Sequence, residues 1–448
     1  MPSMSLWPPC PATTRALRSC ELVARRPAAP RPARLLTSVL AATLVLRLLV
    51  IAHLHTPRAP EAWEYGLLAD SVLAGNGYVM EAPSGGLHRS YMPPAYPLLL
   101  AGLGWLFGPG RYLALQLLQA VLSTGTAGLL WLLGRRLLGG PAAWAALVLA
   151  AVYPPLAVKV AFVDPVTLET FLLVLGVFLV VRLLDTRVST GAGAAAGVAL
   201  GLAVLTRPVF LACALALGAA GIVLGPARRR AVVLMLACLL LTLLPWTLRN
   251  WVVLGEPVLV STNGGANFWI GNNTLATGDA YGTDGQPLWL RMPEPLRQRL
   301  AVATEVEQER FLYAEGLAFA RSHPGRFLHL TVRRLGWFWW FRPGAGEGQQ
   351  PMPLLWIWGY RLAYGAVLAL ATLGAWLARG RWRRLLPVYL VLASLTAVYS
   401  VFFVHTRYRM VLEPFLLLLA GQALARVWQR LSDRLRRGRP QHRGGTGE

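Results

Sequence analysis

Glu61 and Glu64 stand three residues apart in EAWEYGLLADSVLAGNGY, so on a helix both carboxylates face the same way. Two carboxylates placed like this can take a proton as general base or hold a divalent cation. They can also do nothing more than solvate the start of a surface helix, where the dipole favours acids. Spacing alone favours that plainer reading. Tyr65 follows on the same expected helix, which should stop at Gly75-Asn76-Gly77, since glycine and asparagine tolerate the left-handed cap. Arg89 and the Pro93-Pro94 pair close the stretch 61–97, the densest polar chemistry in the chain. It reads as the active-site loop of a membrane enzyme.

Further candidates lie far from this loop in sequence. Asp164 and Glu169 flank the start of an apolar run in FVDPVTLETF. Asp164 before Pro165 is explained well enough as a helix cap. Glu169, a turn inside, needs a partner or a polar surrounding. Arg207 in LTRP, Arg249 beside Asn250 in PWTLRN, and Arg407 and Arg409 in HTRYRM sit at the ends of apolar runs. Guanidinium groups match phosphate oxygens through paired hydrogen bonds, and neighbouring carboxylates compete with phosphate for them. Asn263 and Asn272 belong to STNGGANFWIGNNTLATG, which either offers amides to a polar ligand or is a turn-rich loop.

The elements that must position these residues are membrane spans. Of 448 residues, 55% are hydrophobic and only 14% charged, well below the charged quarter of an ordinary globular chain. The net charge of +23 comes from arginines between apolar runs and at the termini, which fits cytoplasmic loops and not a nucleic-acid groove. Residues 1–33 read as a disordered basic tail, 34–428 as the membrane domain, and 429–448 as a second basic tail. Ten spans are expected, near 35–54, 111–134, 141–158, 165–184, 190–206, 208–225, 231–251, 352–377, 385–403 and 408–428. Arg47, inside the first, should face protein or snorkel outward.

Leaving the short run 96–107 out of the count keeps the arginine-rich loops and both termini on the cytoplasmic side. This topology places the 55–110 loop, the 252–350 loop and every candidate above on the extracytoplasmic face of the cell's inner membrane. Segments 296–320 and 324–341 read as amphipathic helices on the membrane, with Trp337, Trp339 and Trp340 as an interfacial belt. There is no P-loop, HExxH or GxSxG motif, and Lys159 is the single lysine, so lysine-rich nucleotide cradling is excluded. None of Cys10, Cys20, Cys213 and Cys238 has CxxC spacing.

Taken in order, EYGLLADSVLAGNGY, YMPPAYP, YPP with TLETF, GLAVLTRP, LPWTLRNWVVLGEP, STNGGANFWIGNN and RYRMVLEP resemble the bacterial members of glycosyltransferase family 39. This GT-C group includes protein O-mannosyltransferases and aminoarabinose transferases to lipid A. The resemblance runs over about 35–415. It implies an all-α polytopic bundle of the GT-C type, with outer loops carrying juxtamembrane helices. It also implies transfer of a sugar, with inversion, from a polyprenyl phosphate to an extracytoplasmic protein, lipid or polysaccharide. The acidic residue of the first outer loop, base or metal neighbour in such enzymes, corresponds to Glu61, where the family more often has aspartate; Glu64 is the alternative. The outer-face arginines Arg207, Arg249, Arg407 and Arg409 would then stabilise the leaving phosphate. Tyr65, Arg89, Asp164, Glu169, Asn250, Asn263 and Asn272 are the expected substrate contacts. No cofactor is required, a divalent cation at Glu61 and Glu64 is compatible, and nucleic acid is not expected as a partner. A lipid-linked-sugar transporter without catalysis is the alternative reading.

Overall fold

The computed structural model describes residues 32–54, 63–82, 86–184, 190–224, 228–282, 285–341 and 354–437. Glu61 and the terminal segments 1–31 and 438–448 lie outside the described residues. The first half of the chain forms α1 (Pro32–Leu54), α2 (Trp63–Leu73), α3 (Ala95–Phe107), α4 (Arg111–Leu137), α5 (Gly140–Val152) and α6 (Pro154–Val158). It continues through α7 (Val166–Leu183), α8 (Thr190–Thr206), α9 (Phe210–Leu224) and α10 (Arg229–Leu254). The long segment between α10 and the next long helix holds α11 (Gly264–Gly271), α12 (Glu294–Ala301), α13 (Glu305–Ser322) and α14 (Pro324–Trp339). Then come α15 (Leu354–Leu377), α16 (Trp382–Val401), α17 (Thr406–Met410) and α18 (Glu413–Arg437).

A helix stands at each of the ten expected spans. Among the described residues, six helical runs are long and apolar enough to cross a membrane, or seven if the bent pair Gly140–Val152 and Pro154–Ala161 counts as one. Helices α8 and α9, at 17 and 15 residues, are shorter. Helix α18 continues past the expected boundary at 428 as far as Arg437. Its leucines, arginines and glutamine are good helix formers, so nothing in the sequence ends it earlier.

Two stretches differ from expectation. The segment 261–278 is not simply a turn-rich loop, because α11 occupies its centre. The expected helix 296–320 is two helices, because Thr304 and Glu307 form a capping box that starts α13 afresh. The stop at GNG is present as read, with Gly75 at φ 80° and Gly77 at φ 82°.

Small residues let helices approach closely. Gly193, Gly197 and Gly201 recur every fourth residue along α8 and face α10. A Cβ on Gly197 would lie 2.2 Å from the Met235 carbonyl oxygen. Gly374 of α15 sits against the Leu419 carbonyl of α18 in the same way. Arg47, fully buried, answers the break at Tyr153-Pro154. Its guanidinium donates to the carbonyls of Ala151 at 2.6 Å and Ala150 at 2.9 Å, and to Ser123 Oγ at 3.1 Å. These carbonyls end α5, where proline removes the next donors. Arg47 faces protein.

Candidate active site

The site begins at that same break. After α6 the chain makes a single 3₁₀ turn, Lys159–Ala161, before α7. Glutamines of α4 hold this turn in place. Gln116 Nε2 donates to the Ala161 carbonyl at 2.7 Å, and Gln119 Nε2 donates to those of Val160 and Phe162 at 3.0 and 2.9 Å. Asp164 then caps α7, accepting from the Val166 amide on Oδ1 at 2.8 Å. Its Oδ2 accepts from Lys159 Nζ at 3.1 Å. Burial raises this carboxyl, but the charges of Lys159 and Arg407 outweigh it and hold Asp164 below the usual carboxylate range.

One turn further on, Glu169 is wholly buried. Its Oε1 accepts from Arg207 Nε at 2.9 Å, whereas Oε2 has no hydrogen-bond partner. Arg207 follows the end of α8, where Pro208 stops the helix. The Arg207 guanidinium lies 4.7 Å from the ring centre of Tyr408, and Tyr399 stacks on that ring at 4.8 Å with 12° between planes. Arg407 comes from α17 and lies 5.4 Å from the Tyr408 ring. Its Nε is buried with no protein acceptor. His405 caps α17, accepting from the Arg407 amide at 3.3 Å. Burial and the charges of Arg407 and Lys159 push this imidazole down to about 3, so it is neutral at pH 7.

Helix α2 closes the cluster from the first loop. Tyr65 is buried edge-on to Tyr96 of α3, at 5.4 Å. Burial pushes its phenol up, and the charges acting on it are those of Arg407, Arg207, Glu169 and Asp164. Burial also raises Tyr91, on which Glu64 and Tyr408 act. Glu64, Tyr65, Asp164, Glu169, Arg207 and Arg407 therefore meet at one end of the bundle.

The other candidates hold the loops around this point. Arg249 donates to the carbonyls of Arg89 at 2.5 Å and Tyr78 at 3.4 Å, and stacks on Trp246 at 4.8 Å. Asn250 donates to the Val258 carbonyl at 2.9 Å. Asn263 Oδ1 accepts from Ser261 Oγ at 3.0 Å. Asn272 donates to the Val401 carbonyl at 2.9 Å and accepts from buried Arg334 at 3.0 Å. Arg409 is buried and turned into the bundle, against Glu413 at 3.4 Å and the Tyr360 hydroxyl at 3.0 Å. Glu305, at the start of α13, accepts from the amides of Arg89 at 2.6 Å and Ser90 at 2.8 Å and from Thr262 Oγ1 at 2.6 Å. It ties the loop after α2 to the segment that holds α11 to α13.

Lys159, Tyr399, His405 and Tyr408 belong to the cluster without having been singled out as site residues. A lone lysine five residues before Asp164, beyond a Pro-Pro break, was the available signal for the first. As for a cation, both Asp164 oxygens and Glu169 Oε1 are already bound to protein donors. No group of three or more His, Cys, Asp or Glu among the described residues could hold a metal ion. Glu61, half of the candidate cation pair with Glu64, lies outside the described residues.

This polytopic helical bundle is similar in fold to solved membrane oligosaccharyltransferases. The model of the dolichyl-phosphate-mannose-protein mannosyltransferase family matches residues 91–248, which include Lys159, Asp164, Glu169 and Arg207. The archaeal oligosaccharyltransferase AglB from Archaeoglobus fulgidus, solved with an inhibitory peptide and a dolichol-phosphate, superposes with a TM-score of 0.52 at 15% identity, over 93% of this chain and 53% of that one. The apo form of the Archaeoglobus fulgidus oligosaccharyltransferase gives 0.54 at 14% identity, over 90% and 51%. ArnT from Cupriavidus metallidurans bound to undecaprenyl phosphate gives 0.42 at 17% identity, over 92% and 82%. The chain thus spans about half the length of the oligosaccharyltransferase, and likeness at these identities is one of fold. No curated protein sequence matches the chain. The resemblance to GT-C glycosyltransferases holds in fold and in the matched family segment.

Proposed function

We propose that this protein transfers a sugar from a polyprenyl-phosphate donor to an acceptor on the extracytoplasmic face of the inner membrane, with inversion at the anomeric carbon. The observation that carries this reading is Arg407, a guanidinium in the polar cluster whose buried Nε has no protein acceptor. Its neighbour Arg207 engages Glu169 through Nε. A departing phosphate supplies the oxygens that Arg407 lacks, and its developing charge is stabilised in a site poor in water.

The acceptor hydroxyl attacks the anomeric carbon as the bond from that carbon to the phosphate oxygen breaks. The hydroxyl proton passes to a carboxylate, Glu61 or Glu64, and polyprenyl phosphate leaves. Lys159 and Arg207 hold Asp164 and Glu169 in place. The bilayer delivers the donor sideways between helices, which suits an enzyme built almost wholly of spans.

The test uses purified protein in lipid nanodiscs with a panel of polyprenyl-phosphate sugars and, as acceptors, a threonine-rich peptide, a glycolipid and a polysaccharide, following donor loss by mass spectrometry. Wild type should consume one donor, and the Glu61→Gln, Glu64→Gln double variant should lose at least about 100-fold in rate, the scale of general-base catalysis. Donor binding without consumption in the wild type would replace this reading with that of a transporter.

A further inference from the structure

Arg207 and Arg407 carry like charges, and each acts unfavourably on the other. Only Arg207 has a carboxylate within ion-pair distance among the described residues. What the two share is the ring of Tyr408, 4.7 Å from one guanidinium and 5.4 Å from the other. An aromatic face attracts cations through its quadrupole, so a single ring can hold two guanidiniums that would otherwise separate. The ring itself is fixed. It is 8% exposed, stacked on Tyr399 at 4.8 Å, and flanked by Phe403 at 5.7 Å and His405 at 5.9 Å. Its amide donates to the His405 carbonyl at 2.9 Å within the turn that begins α17.

We infer that Tyr408 is a positioning residue whose ring holds Arg207 and Arg407 together as one cationic clamp for the donor phosphate. The inference rests on the polyprenyl-phosphate reading above and adds to it the means by which the clamp stays assembled. The face of the ring does this, so phenylalanine serves equally well and an aliphatic side chain does not. Tyr408 touches neither the sugar nor the acceptor hydroxyl in this role. The deficit from removing it appears in donor affinity.

The experiment measures binding of radiolabelled undecaprenyl phosphate to the full-length protein in phosphatidylcholine nanodiscs, for wild type, Tyr408→Phe, Tyr408→Leu and Tyr408→Met. Wild type and Tyr408→Phe should agree within about twofold. Tyr408→Leu and Tyr408→Met should each bind about tenfold more weakly, the scale expected for two cation–π contacts. Two aliphatic shapes are used so that one misfolded variant does not decide the matter. Wild-type affinity in a folded aliphatic variant overturns the inference. So does a tenfold loss in Tyr408→Phe, which would assign the role to the hydroxyl; this arm stands even if neither aliphatic variant folds. Failure of the wild type itself to bind undecaprenyl phosphate would overturn the donor reading, and the clamp with it.

Discussion

Glu169 keeps one oxygen on Arg207 and leaves the other bare, one turn inside a helix made of leucine and valine. Breaking a buried pair by removing one partner strands a charge and costs about 3–5 kcal/mol. Arg207→Gln should therefore lower the thermal midpoint in detergent markedly, and Glu169→Gln in the same chain should restore most of it. Turnover should stay lost in the double variant, because the clamp is gone although the fold is not. A double variant with wild-type turnover would show the pair to be purely structural. Glu169's need for a partner was legible from its place in an apolar run, as was the oddity of arginines at span ends. Which arginine met which group was not. Arg249 and Arg409 bond largely to backbone carbonyls, groups every residue carries and no sequence pattern marks.

At the scale of elements, α8 and α10 pack through the glycine stripe 193, 197 and 201. The Gly197 position is met by backbone on the facing helix, which cannot rotate aside as a side chain can. Gly197→Val should force the helices apart and destabilise by about 1–3 kcal/mol. Gly102 of α3 has open space at its Cβ position, so Gly102→Ala should be neutral or slightly stabilising. Thermal melts of both in one detergent check the contrast; equal losses would remove the packing argument. The helices at the expected positions were legible because long apolar runs between arginine clusters leave few alternatives, whereas six or seven of the described runs, not ten, are long and apolar enough to cross a membrane. Their partners were not. The four-residue glycine repeat in TGAGAAAGVALG was there to be read as a contact stripe, yet only the structure shows it against α10. The helix in 261–278 was obscured by its glycines and asparagines, which local propensity assigns to turns.

At the scale of the whole molecule, the described residues form a helical bundle carrying a lobe, α11 to α13, fastened to the first loop by Glu305. Next to that fastening, burial and the neighbouring charge of Glu305 raise the Glu309 carboxyl from 4.5 to about 7. Between those values the folded chain holds a proton that the unfolded chain has released. Stability therefore falls as pH rises from about 4.5 to about 7, and the deficit is complete above that window. Glu309→Gln should melt higher than wild type at pH 8 and level with it near pH 4.5. A gap independent of pH would mean that Glu309 does not titrate in this window. Nothing in the sequence marked Glu309, because its shift comes from packing beside Glu305 and not from any motif.

Arg47 adds a dimension of time. Beyond its own helix its acceptors are Ser123, Ala150 and Ala151, as much as 104 residues further along the chain. At roughly 5–20 residues per second of synthesis, about 5–20 s pass before the last of them exists. Throughout that interval the first span is a hydrophobic helix whose guanidinium has the Thr43 carbonyl of its own helix for a partner, a poor resident of hydrocarbon. It must wait at the interface or in the care of the insertion machinery until α5 arrives. The earliest helix to be made is thus among those that depend on a later one to settle, and its packing is completed only once α5 has been synthesised.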